Sequence, residues 1–318
     1  MHRIRIILSL KIKYHIKLAN ITKQFLPKRK ELDLLDSQQV NDWFNKNLPT
    51  IVIHAAAKVG GILANSSQPA DFLLENLKIQ TNVIEAAFKT NVKRFLFLGS
   101  SCIYPKFSEQ PIKEEALLSS GLEQTNENYA IAKISGIKLC QALRKQYGFD
   151  AISLMPTNLY GPGDNYDKKN SHVMASLIRR FYEAKINKSS EVTCWGSGSP
   201  LRELMHVDDL ADAVVFVLEK WDPDEKNSPI DNNGNPLNYL NVGTGKDVSI
   251  KELTKIISKE YGFNGNINWD RSKPDGTPKK VLNIERIRNL GWKPKISLME
   301  GIKITIRDFT SSYNSLRL

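Results

Sequence analysis

From residue 50 onward, short apolar runs alternate with longer amphipathic stretches, and few architectures other than a parallel α/β sheet accept that alternation. Thr50-Ile51-Val52-Ile53-His54-Ala55 and Arg94-Phe95-Leu96-Phe97-Leu98-Gly99 are compact runs closing on small residues, as buried parallel strands do before their loops. Periodicity predicts helices over about 69–90 and 127–147, and Ala151-Ile152-Ser153-Leu154-Met155-Pro156 reads as the next strand, giving β-α-β-α-β. Past Gly161-Pro162-Gly163-Asp164 the pattern loosens. A helix is expected near 172–187, a strand near 192–195 and a helix from about Asp208 to Lys220, as in a smaller second lobe. Asp222 to Asn238, with Pro223, Pro229, Asn232-Asn233-Gly234 and Pro236, reads as a surface loop.

The net charge of +11 raises nucleic-acid binding as a reading, so its distribution matters. Residues 1–30 carry nine Lys or Arg and no Asp or Glu, which leaves 36 basic against 34 acidic residues in the rest of the chain, a net of +2. No aromatic interleaving, helix-turn-helix pattern or zinc-finger spacing accompanies the basic arm, so no nucleic-acid partner is expected. Three separated cysteines without a CxxC pair support neither a disulfide framework nor a thiolate metal site. No metal is expected from His54 or His206 either. Ile6-Ile7-Leu8-Ser9-Leu10 is too short for a membrane span or a signal core, so a soluble, cytoplasmic protein without a membrane partner is expected.

The sharpest chemical signal is Tyr129-Ala130-Ile131-Ala132-Lys133 within a predicted helix, some thirty residues after Gly99-Ser100-Ser101-Cys102-Ile103-Tyr104-Pro105 at a strand end. A spacing of four puts Tyr129 and Lys133 on one helical face. There an ammonium favours the phenolate, and a strand-end serine can hydrogen-bond the same substrate oxygen. Open α/β sheets bind ligands at the carboxyl ends of their strands, where Ser100 falls. Without that serine, Tyr129 and Lys133 would read as a solvated helix face.

These residues resemble the extended short-chain dehydrogenase/reductases. Within them, His54-Ala55-Ala56-Ala57-Lys58-Val59-Gly60-Gly61-Ile62, Gly99 to Pro105, Pro156-Thr157-Asn158-Leu159-Tyr160-Gly161-Pro162 and Asn170-Ser171-His172-Val173 look like the GDP-L-fucose synthase family, in order and from about Pro27 to the C-terminus. The resemblance implies a Rossmann-like doubly wound parallel sheet with a smaller C-terminal α/β substrate lobe. It implies an atypical basic segment over 1–30, a NADP-binding domain over 31–165 with parts of 166–240, and a GDP-sugar lobe mainly over 166–318. It implies an NADPH/NADP+-dependent enzyme that epimerises C3 and C5 of GDP-4-keto-6-deoxy-D-mannose and then reduces its C4 ketone.

By the same resemblance Cys102 and His172 are the acid/base pair, Tyr129 the proton donor to the C4 oxygen, Ser100 its hydrogen-bonding partner and Lys133 the holder of the nicotinamide ribose. The cofactor positions are Arg29, Leu98, Gly99, Ser100, Ser101, Lys133, Pro156, Thr157, Asn158, Leu159 and His172, with Arg29 after the second strand suited to a 2′-phosphate. Arg180, Trp195, Arg202 and Asp275 fall at the substrate. A homodimer through helices near 69–90 and 127–147 is implied too.

On residue chemistry alone, Cys102 reads as a small buried hydrophobe and His172 as a helix-start residue. Arg179-Arg180 reads equally as a solvated face, Trp195 as lobe core and Asp208 as a helix N-cap; Cys140 and Cys194 read as core packing.

The chain departs from the family at its start, because the first glycine is Gly60. The family opens with a strand and a GxxGxxG turn whose amides cradle the pyrophosphate. Here the first strand and phosphate loop are expected to be atypical or missing, although Ile4–Leu10 has the composition of a strand. A rearranged start, a divergence that abolishes cofactor binding, or another backbone geometry would each account for this. Three function classes follow: an active GDP-L-fucose synthase-like enzyme, an impaired homologue that binds a GDP-sugar or a partner subunit, and another extended nucleotide-sugar epimerase or dehydratase that retains NAD.

Overall fold

The computed structural model describes residues 24–315 apart from 169 and 274. The strand composition at Ile4–Leu10 lies outside the described residues. In chain order the elements are α1 (Ser37–Asn47), β1 (Ile51–His54), α2 (Ile62–Ser67), α3 (Pro69–Lys89), β2 (Arg94–Leu98), α4 (Glu127–Tyr147), β3 (Ala151–Pro156) and β4 (Asn158–Tyr160). Then come α5 (Val173–Ile186), β5 (Glu191–Trp195), β6 (Leu201–His206), α6 (Val207–Lys220), β7 (Tyr239–Val242), β8 (Asp247–Ser249) and α7 (Ile250–Tyr261). The chain closes with β9 (Asn266–Asp270), β10 (Lys279–Lys280), α8 (Glu285–Asn289) and α9 (Leu298–Ser312).

The main sheet runs β1-β2-β3-β7, every pair parallel. Its strands are buried on both faces: Phe95, Leu96, Phe97, Ile152, Leu154 and Leu240 are all fully inaccessible, and each large apolar side chain so removed from water stabilises the fold by roughly 1.5–3 kcal/mol. Helix α3 opens with Pro69 in its first turn and has Asp71 there and Lys89 in its last, matching the helix dipole at both ends. Helix α4 is charged in the same sense, with Glu127 first and Arg144 and Lys145 last, and it packs along α3.

A second sheet, β10-β6-β4 with β8 antiparallel to β6, and a two-stranded sheet, β5-β9, build the other side of the molecule. Two separate clusters of buried apolar side chains result. One surrounds the main sheet; the other, from Tyr160 through Phe181 and Leu253 to Phe309, lies among α5, α7 and α9. The chain returns to the first core at Leu282, Ile284, Ile287 and Trp292, far beyond residue 240.

Among the described residues the first strand is β1. Arg29 occupies an exposed turn with its guanidinium 3.8 Å from Asp33, and the strands expected before it lie outside the described residues. Asp208 is not the cap of α6. His206 is, its Nδ1 accepting the Asp208 N–H at 3.3 Å, because the imidazole at the end of β6 is fully buried and lies nearer the free amides.

Candidate active site

The carboxyl ends of the paired strands β2 and β3 carry the turns that hold the expected site residues. After Leu98 the chain turns at Gly99, where a Cβ would stand 2.5 Å from Met155 Sδ, so a residue without a side chain lets the turn lie close to β3. Ser100 caps the short helical turn that follows, its Oγ accepting the Cys102 N–H at 3.2 Å; Ser101 is buried and Cys102 partly exposed.

Helix α4 runs above this turn. Lys133 is 3% exposed, donates from Nζ to the Leu98 carbonyl at 2.8 Å and lies 4.8 Å from the centroid of the Phe97 ring. No carboxylate offsets its burial, which lowers its pKa to about 7. Tyr129 sits one turn earlier with its ring edge-on to Phe72. Burial and the nearby Cys102 charge push its pKa up, while a hydrogen bond with Ser100 pulls the other way. The expected lowering of Tyr129 by Lys133 is therefore not a feature of the ligand-free site, because the ammonium is turned to a backbone carbonyl and is itself discouraged from charging.

The third segment is Pro156 to Leu159, where the chain passes from β3 to β4. Thr157 Oγ1 and Asn158 Nδ2 both donate to the Glu203 carbonyl, at 3.2 and 3.0 Å, tying this corner to β6. Glu203 itself is fully buried, and its carboxylate accepts the N–H groups of Thr244, Gly245 and Leu282. Burial raises its pKa against those hydrogen bonds.

His172 caps α5 without a side-chain bond to the helix. The residue is exposed, yet desolvation of its ring by the surrounding protein and the charge of Lys280 hold its pKa below the usual value. The preceding loop is pinned by Gly61, whose N–H donates to the Asn170 carbonyl at 3.2 Å.

The surface at Trp195 is more open. Arg180 lies 5.2 Å from the centroid of the Trp195 ring, and Lys273 stands 5.7 Å from the same ring, so the indole is flanked by two cations. Trp195 is 46% exposed and is not lobe core. With Lys168, Ser171, Ser176 and Thr193, Arg180 and Trp195 line a groove of about 480 Å³. Both arginines border the groove, but Arg179 is buried and committed to Glu183 and the Tyr166 carbonyl, while Arg180 lies against Trp195. Arg202 donates to the carbonyls of Thr277 and Asp275, and burial lowers its pKa. Asp275 accepts the Ser197 N–H and hydroxyl on its two carboxylate oxygens, so it holds the turn after β5 in place. Lys280 was not found from the sequence; it projects from β10 to place Nζ 3.5 Å from Cys102 Sγ.

Whether the residues present suit a nicotinamide nucleotide can be read from Lys133. Its buried ammonium, once protonated, has three donors, of which Leu98 takes one, so donors remain for ribose hydroxyls. The nicotinamide end fits. No glycine-rich turn precedes β1 among the described residues. Nor do the described residues gather three His, Cys, Asp or Glu side chains into a metal site, and none of their helices is long and apolar enough to cross a membrane.

A parallel sheet with a serine at one strand end and a buried Tyr-x-x-x-Lys helix face above it defines a short-chain dehydrogenase/reductase. Residues 6–231 match the NAD dependent epimerase/dehydratase family, and the chain belongs to it. It is 53% identical over 284 residues to GDP-L-fucose synthase 1 of Arabidopsis thaliana, covering 89% of this chain and 84% of that one. It is 48% identical over 293 residues to the GDP-L-fucose synthase of Escherichia coli K12, covering 91% and 89%. Among solved structures, the NADP-bound GDP-mannoheptose C4 reductase from Campylobacter jejuni superposes with a TM-score of 0.83 at 32% identity, covering 95% of each chain.

Proposed function

We propose that this protein carries out the NADPH-dependent 3,5-epimerisation and 4-keto reduction of GDP-4-keto-6-deoxy-D-mannose to GDP-L-fucose. The observation that carries the reading is the convergence, at one strand end, of Ser100, Tyr129, Lys133 and Cys102, with Lys280 touching Cys102 and its charge also acting on His172. Relatives named GDP-L-fucose synthases at about half identity support the substrate.

The hydrogens on C3 and C5 flank the C4 ketone, so removing either leaves an enolate whose charge rests on the C4 oxygen. Tyr129 Oη and Ser100 Oγ donate to that oxygen and stabilise it. One member of the Cys102–His172 pair takes the proton from one face of the ring, and the other returns a proton to the opposite face. When bound, NADPH supplies the hydride that C4 receives. Tyr129 gives its proton to the C4 oxygen, and Lys133 holds the ribose and, once charged, eases the loss of that proton. The cationic, aromatic groove of Arg180 and Trp195 suits the pyrophosphate and base of a GDP group, with Arg202 beside it. Arg29 is the residue offered for the 2′-phosphate. The reading includes a cytoplasmic homodimer through α3 and α4, whose Leu74 and Ile131 are 54% and 40% exposed.

The absence of glycine before Gly60 favours a second reading, a homologue that binds the GDP-sugar without turnover. Incubation with GDP-4-keto-6-deoxy-D-mannose and NADPH in D2O separates the two. The proposal expects cofactor oxidation and GDP-L-fucose carrying deuterium at C3 and C5; saturable binding of the sugar nucleotide with neither change supports the second reading.

A further inference from the structure

Lys280 lies in the two-residue strand β10, registered beside Arg202 of β6, and is partly buried. Its Nζ is 3.5 Å from Cys102 Sγ, and its charge also acts on His172. One ammonium therefore acts on both groups offered for proton exchange. Segment 279–282 has little freedom to move away, since the Leu282 N–H is held by the buried Glu203 carboxylate at 2.7 Å and Val281 N–H by Gln110 at 2.9 Å.

We propose that Lys280 belongs to the acid/base apparatus: its ammonium donates to Cys102 Sγ and holds the sulfur as the anion that accepts a proton from the sugar ring. An ammonium in contact with sulfur favours thiolate over thiol, and the thiolate is the form able to take a proton. The same positive charge makes a protonated His172 a readier donor. The step balances: the C–H bond at C3 or C5 breaks, its proton forms S–H on Cys102 and its electron pair moves to the C4 oxygen. His172 then loses its ring proton to the opposite face of the carbon as the carbonyl re-forms, and solvent exchange resets both groups before the second centre reacts.

The other groups around Cys102 are Arg202 from β6, whose cation feels the Cys102 charge, Tyr129 from α4, which is raised by it, and Ser100, which binds the Cys102 N–H. Arg202 is committed to the Thr277 and Asp275 carbonyls, and the other two are neutral, so Lys280 is the charge in direct contact with sulfur.

The substrate in this proposal rests on the proposed function, but the contact can be tested without any sugar. The rate of Cys102 alkylation by iodoacetamide, followed by peptide mass from acid to alkaline pH, is compared in the wild type, Lys280→Gln and Lys280→Arg. Cys140 and Cys194 are 1% and 2% exposed and serve as unreactive internal controls. Lys280→Gln is expected to slow alkylation at neutral pH roughly tenfold, with Lys280→Arg restoring most of the rate. Deuterium entry at C3 and C5 should fall in parallel. An unchanged alkylation profile in Lys280→Gln overturns the proposal. Failure of the wild type to turn over the GDP-sugar would remove the proposed function and leave the alkylation result to decide the Lys280–Cys102 contact.

Discussion

Tyr129 and Lys133 stand on a helix face pressed against the main sheet, whereas Arg180 of α5 and Trp195 at the end of β5 line an open groove. The first region is preorganised. Lys133 is almost wholly buried and already bonded to Leu98, and the turn carrying Ser100 and Cys102 is fitted against β3. The second holds its cations and indole by contacts with backbone carbonyls and with each other, and a nucleotide would complete it. Chemistry at C4 needs fixed groups aimed at a developing charge, while a large charged ligand needs surface and cations more than rigidity.

The comparison is broken most severely at the buried end. Tyr129→Phe removes the proton donor and keeps the ring packed on Phe72, so reduction should fall by about 10²–10⁴-fold with little change in binding of the GDP-sugar. A steady-state measurement showing a raised KM and an intact kcat would place Tyr129 with the binding surface instead. At the open end the split reverses. Arg180→Ala, through loss of a charge-assisted bond of about 1.5–3 kcal/mol, should raise KM for the sugar nucleotide roughly ten- to a hundredfold and leave kcat nearly unchanged. Equal losses in both parameters would show that the groove is part of the chemical site.

The smallest effect sharpens the contrast through pH. Lys133 has a folded pKa near 7 against an ordinary 10.5, so between those values the unfolded chain holds a proton that the folded chain lacks, and stability rises with pH across that window. In Lys133→Met the penalty is gone. Denaturant unfolding of the ligand-free variant should show a gain of about 1–2 kcal/mol at pH 6, part of the desolvation term being offset by the lost Leu98 bond, and none above pH 10.5. A variant less stable than wild type at pH 6 would mean that the ammonium is a structural asset.

The fold around the buried end was legible in the chain because its signals are local. Helices expected over about 69–90 and 127–147 run Pro69–Lys89 and Glu127–Tyr147, since amphipathic period and end charges lie within the segments themselves. Tyr129 and Lys133 stood out only through their spacing combined with Ser100 at a strand end. Trp195 was partly legible: Glu191-Val192-Thr193-Cys194-Trp195 alternates with period two, and in β5 the odd positions are exposed while Val192 and Cys194 are buried. Cys102 and His172 were reached only through resemblance, because they come from a strand end and a helix cap seventy residues apart. Lys280 was illegible. A two-residue strand has no period, and the lysine meets Cys102 only because β10 pairs with β6, a contact 178 residues distant in sequence.

The account holds that the buried end is complete and that the chain still takes its cofactor, although no glycine precedes Gly60. Titration of the full chain with NADPH, followed by calorimetry or tryptophan quenching, tests that claim most directly. The account predicts saturable binding in the micromolar range, weakened roughly tenfold or more in Lys133→Met as a charge-assisted bond to the ribose is lost. No binding up to millimolar NADPH would contradict it and leave Tyr129 and Lys133 without a hydride source.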